Sequence, residues 1–391
     1  MKKNIQILDL GKHPVSNRFV SNKNVKQKKY QLVLNQNINN GIIELKRTIN
    51  YKDLIPKLPW VTYSEPEDHL DQLVKNISKK YLKNKQSIIG GISFKDDSLL
   101  KRFNKLGFKT WRIDHIKDLK ANKNGGVESI QHHLNKKNSL RISKKYGNAD
   151  LLIVRHVWEH VYDQKEFSLA LINLVRKDGL ILLEIPDYDK IIKKKDYTMV
   201  WEEHLYYYNT YTFKQSIYNN KFQPISISKV KYPSEDIIIG IVKKSNKKNI
   251  RNIQNKNELE KIKNSAKNYG KNFLKYKDAI NNKLENYRSK KKIVLFGAGH
   301  TAVAFISYFA IKRFISFVID DNKNKNGFYM PNTNIKIIMS NKINFNDISV
   351  CLISVNQMHE NKIYSKLKNE LNFKGRIFSI FPTSKRFILN K

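Results

Sequence analysis

The stretch "ADLLIVRHVWEHVYDQKEFSLALINLVRKDGLILLEIPD", residues 149–187, decides how this chain of 391 residues is read. Its opening "ADLLIVRH" is a short apolar run of the kind that forms a buried strand. Asp163 is placed to cap a helix, Glu166 follows three residues on, and Gly179 is placed to stop it. "LILLEIPD" is a second apolar run. Strands that read as continuous apolar runs, separated by a helix, predict a parallel sheet covered on both faces.

The same alternation extends both ways. Upstream, "QSIIGGISF" predicts a strand, "DDSLLKRFNKLG" a helix ending at Gly107, and "KTWRIDH" another strand. Before them, "SEPEDHLDQLVKNISKKYL" predicts a helix opening at Ser64 with an acidic first turn. Downstream, "QPISISKVKY" and "EDIIIGIVKK" predict a closing antiparallel pair. Residues 1–60 carry three short apolar runs, "IQILDLG", "YQLVLNQ" and "GIIELKRTI", which predict strands of a small lobe. Leu259, Ile262, Ala266, Tyr269, Phe273, Tyr276, Ile280, Leu284 and Tyr287 recur at helical spacing, so residues 246–288 predict one long amphipathic helix. It is a packed connector or, failing that, a homo-oligomer seam. From residue 289 an α/β pattern restarts with "KKIVLFGAGHTAVAFISYFA". The expected fold class is therefore α/β: two doubly wound Rossmann-like units (61–245 and 289–391), a small β-rich N-terminal lobe (1–60) and a long connecting helix (246–288).

Composition narrows the function. Lys and Arg number 74 against 34 Asp and Glu, a formal charge of +40. Only 12 of the 74 are arginine and they do not cluster, whereas phosphate-reading surfaces favour arginine's bidentate fork. Nucleic acid is not the expected partner. No run of 18 apolar residues occurs, so no membrane insertion is expected. The N-terminus lacks a secretory pattern, and a cytoplasmic location is expected. Cys351 is the single cysteine, which excludes an internal disulfide and a cysteine-based zinc site. Its apolar surroundings, "ISVCLISV", predict a buried strand residue.

Ligands of doubly wound sheets bind at the carboxyl ends of the strands. In the central unit Asp114, ending "WRID", is either a ribose-binding acid or a loop cap. The preceding turn, "GGISFKDDSLL", has Gly90 and Gly91 early and Lys95, Asp96 and Asp97 in the turn itself, which is a poor cofactor motif. In the last unit Gly297, Gly299 and Ala302 satisfy G-x-G-x-x-A, with Asp320 about twenty residues on. Helix-to-sheet packing explains those small residues equally well. "WEEHLYYYN", residues 201–209, sets Glu203 beside His204, a possible acid–base pair. The alternative is a solvated charge cluster. His156 and His160 stand four apart with Glu159 between. Such a pair can hold a metal on a helix, but with no third ligand evident, metal is not expected.

Taken together these segments resemble the S-adenosylmethionine-dependent sugar C-methyltransferase family, nearly end to end. "LDLGKHPVSNRFV" is similar to that family's "lGxxPlsNxF". "ADLLIVRHVWEHVYD", "DGLILLEIPD" and "WEEHLYYYN" are similar to its "aDlvvarnvleHvxd", "dGxlvlExPd" and "yhEHlsYfs". "VLFGAGHTAVAFISY", "FVIDDNKNKNGFYMPNTNIKI", "CLISVNQ" and "SIFP" recur in order in its C-terminal domain. The resemblance implies a degenerate zinc-binding lobe, a class I methyltransferase domain and a C-terminal Rossmann-like substrate domain. Asn37 and Asn40 stand where the lobe's cysteines belong, so no zinc is expected.

Carried over residue by residue, the resemblance implies His204 as base, Glu203 as its orienter and Tyr63 as a further catalytic candidate, with His69 in the same cleft. It implies S-adenosyl-L-methionine against Asp114, Gly91, Ser93, His156 and His160. A nucleotide sugar would sit against Tyr207, Gly297, Gly299, His300 and Asp320. The implied function is methyl transfer to a nucleotide-linked keto sugar in surface-glycan or glycoside biosynthesis. The altered glycine turn leaves open a non-catalytic relative that binds a sugar nucleotide or a partner enzyme. "GAGHTA" leaves open a nicotinamide-dependent enzyme.

Overall fold

The computed structural model describes residues 4–61, 65–82, 84–245, 255–288 and 291–390. In the lobe β1 (Asn4–Pro14), β2 (Lys29–Asn37) and β3 (Ile43–Leu45) pair antiparallel, following the three apolar runs. The β2–β3 turn is held by its asparagines. Asn37 Oδ1 accepts from the Asn39 N–H and Asn40 Oδ1 from the Ile42 N–H, each at 3.0 Å. Short amide side chains serve here as local backbone acceptors. A four-residue helix α1 (Tyr51–Leu54) follows.

The central unit runs α2 (Leu70–Tyr81), β4 (Ile88–Gly91), α3 (Asp97–Lys105), β5 (Lys109–Arg112), α4 (Val127–His133), α5 (Lys136–Tyr146), β6 (Ala149–Arg155), α6 (Gln164–Leu174) and β7 (Val175–Asp187). It continues through α7 (Tyr188–Lys194), β8 (Tyr206–Tyr207), α8 (Thr210–Asn219), β9 (Phe222–Val230) and β10 (Asp236–Lys244). The sheet order is β5-β4-β6-β7-β10-β9. The first four strands are parallel, and β10 and β9 close the sheet antiparallel. Strand β8 leaves this unit and becomes the fourth strand of the lobe sheet, Tyr207 opposite Ile43.

Two helix boundaries differ from expectation. The first helix starts at Leu70, after His69, rather than at Ser64, which lies outside the described residues. Helix α6 stops at Leu174, not at Gly179. Val175 pairs with Ala149 and Leu180 with Leu151, so residues 176–179 bulge out at the start of β7. A β-branched residue that finds a strand partner leaves the helix there.

The connector is two helices rather than one: α9 (Lys256–Lys271) and α10 (Phe273–Glu285), broken at Asn272. Residues 246–254 lie outside the described ones. The halves serve different neighbours. On the lobe, α9 lies so close to β1 that a Cβ on Gly270 would sit 1.6 Å from the Ile7 carbonyl oxygen. On the C-terminal domain, Asn281 Nδ2 in α10 donates to the Phe309 carbonyl at 2.8 Å and Tyr276 packs against Phe309 and Phe387. One straight helix does not follow both surfaces. The apolar stripe, Leu259, Ile262, Ala266, Tyr269, Phe273, Ile280 and Leu284, is buried within the chain.

The last unit comprises β11 (Lys292–Phe296), α11 (His300–Tyr308), β12 (Ile315–Ile319), β13 (Lys336–Ile338), β14 (Ile348–Ile353), α12 (Glu360–Ser365) and β15 (Arg376–Ser379). Its sheet is parallel in the order β13-β12-β11-β14-β15, so the chain turns both ways from β11. Cys351 is buried in β14. The lobe, connector and C-terminal unit share one apolar core, while the two faces of the central sheet carry their own. Among the described residues no helix is long and apolar enough to cross a membrane.

Candidate active site

Two cavities meet between the three sheets. One, of about 430 Å³, lies beyond the carboxyl ends of β4, β6 and β7, and Phe94, Lys95, His156, Glu159, His160, Glu203 and His204 are on its wall. The other, of about 490 Å³, lies over the glycine turn of the last unit, bounded by Gly297, Gly299, His300 and Asp320. Val61, Glu65, Trp201 and Glu235 line both, so the two communicate. The first sits at the switch point of the central sheet, where β5 lies to one side of β4 and β6 to the other.

The floor of the first cavity is a buried charge network. Glu184 in β7 is fully buried, and its Oε1 accepts from Arg155 Nε at 3.0 Å and faces His156 Nε2 at 3.1 Å. Its Oε2 meets His69 Nε2 at 3.2 Å, and His69 Nδ1 reaches Tyr232 Oη at 2.8 Å. His69 thus braces the floor and is not on the cavity wall. His156 adopts φ +49°, which turns its ring from the end of β6 into the cavity. Burial opposes charge on that ring, but Glu65, Glu159 and Glu184 raise it to about 10. Burial likewise opposes ionisation of Glu65, but His156 and Lys95 hold it at about 2.

On the wall, His160 and His204 meet edge to face with centroids 4.7 Å apart. No α-helix carries His156 and His160: β6 ends at Arg155 and a single 3₁₀ turn, Trp158–His160, carries His160. His160 Nδ1 faces Glu128 Oε1 at 2.9 Å. Gly126 leaves that carboxylate its space, since a Cβ there would lie 2.6 Å from Glu128 Oε2. Burial disfavours charge on His160, yet Glu128 raises its pKa above the ordinary value. For His204 burial and the neighbouring His160 and His300 act together, and its pKa lies well below the ordinary value.

Glu203 does not brace His204 as expected; among the described residues no hydrogen bond joins them. It accepts a long hydrogen bond from Asn17 Nδ2 at 3.4 Å, and burial, Glu128 and Glu202 push its carboxyl pKa well above the usual range. Glu202 turns the other way and takes the Ser16 N–H and hydroxyl, tying the lobe to this segment. The two acids point apart across a bend, Glu202 into the lobe and Glu203 onto the cavity wall.

Other expected ligands are placed differently. Tyr63 lies outside the described residues. Gly91 and Ser93 are buried beneath the turn, not on the cavity wall. There Asp96 Oδ2 takes the Ile92 and Ser93 N–H groups, and a Cβ on Gly91 would lie 2.7 Å from Leu100 Cδ1. Asp114 caps its own loop, its Oδ1 accepting from the N–H groups of Ile116 and Lys117, and it is not on the wall either. Asp97 pairs outward with Arg112 at 2.6 Å, whereas Phe94 and Lys95 form the wall.

Tyr207 is buried away from both cavities. Its hydroxyl clasps the N–H and carbonyl of Trp201, pinning the bend that presents His204. In the second cavity Asp320 Oδ2 takes the Ala298 N–H and Lys325 Nζ, each at 2.8 Å, which engages the oxygen a ribose would need. Gly297, at φ +111°, makes that turn possible. His300 packs its ring on Trp201 and faces the Thr198 carbonyl at 3.2 Å; burial lowers its pKa to about 3.

Sequence reasoning passed over four carboxylates on these walls: Glu65, Glu128, Glu159 and Glu235. The only signal was Glu159's place between two histidines. Glu65 and Glu235 come from separate loops and Glu128 from the first turn of α4, and none carries a motif.

Residues 240–382 match the family model described as "C-methyltransferase C-terminal domain". No curated protein matches the chain. Among solved structures, 1,6-didemethyltoxoflavin-N1-methyltransferase of Burkholderia thailandensis is 8% identical, covers 48% of this chain and 93% of its own, and has a TM-score of 0.29. Magnesium protoporphyrin IX methyltransferase of Synechocystis is 13% identical, with 47% and 91% covered and a TM-score of 0.31. An S-adenosylmethionine-dependent methyltransferase of Clostridium acetobutylicum is 10% identical, with 46% and 93% covered and a TM-score of 0.31. The matched residues run from within β10 to just past β15, across the connector and the last α/β unit of the chain.

Proposed function

We infer that the protein is an S-adenosyl-L-methionine-dependent C-methyltransferase acting on a nucleotide-linked keto sugar. The observation that carries the reading is the pair of communicating cavities, one with clustered imidazoles at the switch point, the other in the C-methyltransferase C-terminal domain. The cofactor would occupy the first. Its residues suit that ligand: Phe94 keeps 42% of its surface exposed, an apolar face for a purine, and Glu65 is an ionised carboxylate for a cationic group. The cofactor supplies an electrophilic methyl group on a sulfonium.

The second cavity would take the nucleotide, with the sugar reaching past Trp201 toward His204. Carbon–carbon bond formation requires a carbanion, and the hydrogen beside a carbonyl is the accessible one. His204, a neutral imidazole, would accept that proton. Glu203, which retains its proton, would donate a hydrogen bond to the developing enolate oxygen. Neighbouring groups whose pKa values are pushed apart are suited to opposite proton tasks. His160, oriented by Glu128, would hold the His204 ring edge-on. This assigns Glu203 a donor's part rather than an orienter's.

The test is transfer of a labelled methyl group to a panel of nucleotide-linked 4-keto and 3-keto sugars. Label in a non-exchangeable carbon position supports the reading, and label on oxygen or nitrogen overturns the carbon assignment. In the H204A variant, S-adenosylhomocysteine should bind as before while transfer is lost. Retained transfer would remove His204 from the mechanism.

A further inference from the structure

We propose that Glu159, His160 and His204 form a binding site for a divalent first-row transition ion. This uses the same imidazoles as the methyl-transfer reading, but binding of the ion requires neither cofactor nor sugar. One ligand atom from each of the three residues lies within 4.8 Å of the others, the one such trio among the described residues. His160 Nε2 and Glu159 Oε1 are 3.8 Å apart. Two ligands about 2.1 Å from a tetrahedral ion stand roughly 3.4 Å apart, so this pair needs a few tenths of an ångström of closure and the pairs with His204 at most about 1.4 Å.

A second, independent observation points to a cation. Glu159 is 1% exposed, yet neither of its oxygens accepts a hydrogen bond among the described residues. Its ion-pair contacts, to His156 Nδ1 at 3.6 Å and His160 Nε2 at 3.8 Å, stand beyond hydrogen-bond range. The charged His156 ring is a long contact that leaves both carboxylate oxygens without a bond, and a buried carboxylate in that state gains from a cation that coordinates it directly.

The surroundings match what such sites need. His160 turns its other nitrogen toward Glu128 at 2.9 Å, out of line for a hydrogen bond as it stands, and a small rotation of the ring makes it the carboxylate partner that orients a metal-ligating imidazole. All three ligands lie on the wall of an open cavity, which leaves a coordination position for water or a ligand oxygen. Two imidazoles and one carboxylate select zinc-like ions over magnesium or calcium, which take oxygen ligands. An ion held here withdraws both imidazoles from proton transfer, so it inhibits C-methylation.

The experiment is calorimetric titration of the full-length, chelator-treated protein with zinc chloride and, separately, magnesium chloride, without cofactor or sugar. One equivalent of zinc should bind and magnesium should not. E159Q and H160Q should weaken zinc at least tenfold. E128Q, which keeps all three ligands, should weaken it by roughly 10–100-fold. Absence of zinc binding, or affinity unchanged in E159Q and E128Q, overturns the site and places any zinc elsewhere, for example on the His132–His133 pair. Since no methyl transfer is measured, failure here leaves the enzymatic reading standing, and the reverse holds too.

Discussion

Removing the carboxylate of Glu184 should cost more stability than any other single change on the cavity floor. Glu184 has no solvent exposure and compensates Arg155, whose side chain is 1% exposed, at 3.0 Å and 2.9 Å. It also faces His156 at 3.1 Å and His69 at 3.2 Å. Arg155 has other acceptors in the Lys95 carbonyl and Ser98 Oγ, but these are neutral. Breaking a buried pair by deleting one partner typically costs 3–5 kcal/mol, because the remaining charge is stranded. E184L should therefore lower the unfolding free energy by about 4 kcal/mol. E184Q, which keeps one acceptor oxygen, should lose roughly half of that.

The double variant R155M/E184L strands no guanidinium. It should be no less stable than E184L alone, giving a coupling of about 3 kcal/mol between the positions. Urea unfolding followed by tryptophan fluorescence and circular dichroism reads the wild type, R155M, E184L, E184Q and the double variant. Additive losses in the double variant, or a loss under 1 kcal/mol in E184L, would refute the view that this pair sustains the strand ends carrying the site.

Three further outcomes are expected. G270A should destabilise the protein by about 1–3 kcal/mol through overpacking against the Ile7 carbonyl, although alanine in a helix ordinarily gains about 1 kcal/mol over glycine; a raised melting temperature would contradict the helix–strand contact. Glu235, between the cavities, is pushed up to about 8 by burial and by Glu65, against His156 and with Glu159 and Asp196. The unfolded chain ionises this group near its ordinary value while the folded chain keeps the proton, so stability should fall from about pH 4.5 to about pH 8 and level off above; E235Q should flatten that slope, and an unchanged slope disproves the assignment. Trp201 lies 5.2 Å from the His204 ring and 3.3 Å from the His300 ring by centroid, so W201A should weaken sugar-nucleotide affinity by about tenfold, or 1.4 kcal/mol; equilibrium dialysis checks it.

Much of the architecture was legible in local pattern. Apolar runs such as 149–155 and 292–296 become buried parallel strands because a strand covered on both faces needs apolar residues at every position. Helix ends were less legible. Val175 abandons α6 only because Ala149 offers it a partner, and Asn272 breaks the connector only because two surfaces diverge. The site was half legible. His156, His160, Glu203 and His204 do share one wall, but Asp114 turns one oxygen and Asp320 both to their own loops. Whether an aspartate at a strand end faces a ligand or its own loop depends on a few torsions that no spacing encodes.

By itself the sequence determined the element types, the two α/β units and the histidine-bearing segments, because these follow from periodicity and local hydrogen-bonding chemistry. Only the tertiary structure decided which acids meet those histidines. Glu128 follows a glycine pair before α4, Glu65 precedes α2, Glu235 tips the β9–β10 hairpin, and β8 crosses into the lobe sheet to set His204 opposite His160. Charges interact over a few ångströms in space regardless of their separation along the chain, so the protonation and metal-binding character of the cleft emerged only when three sheets closed around it.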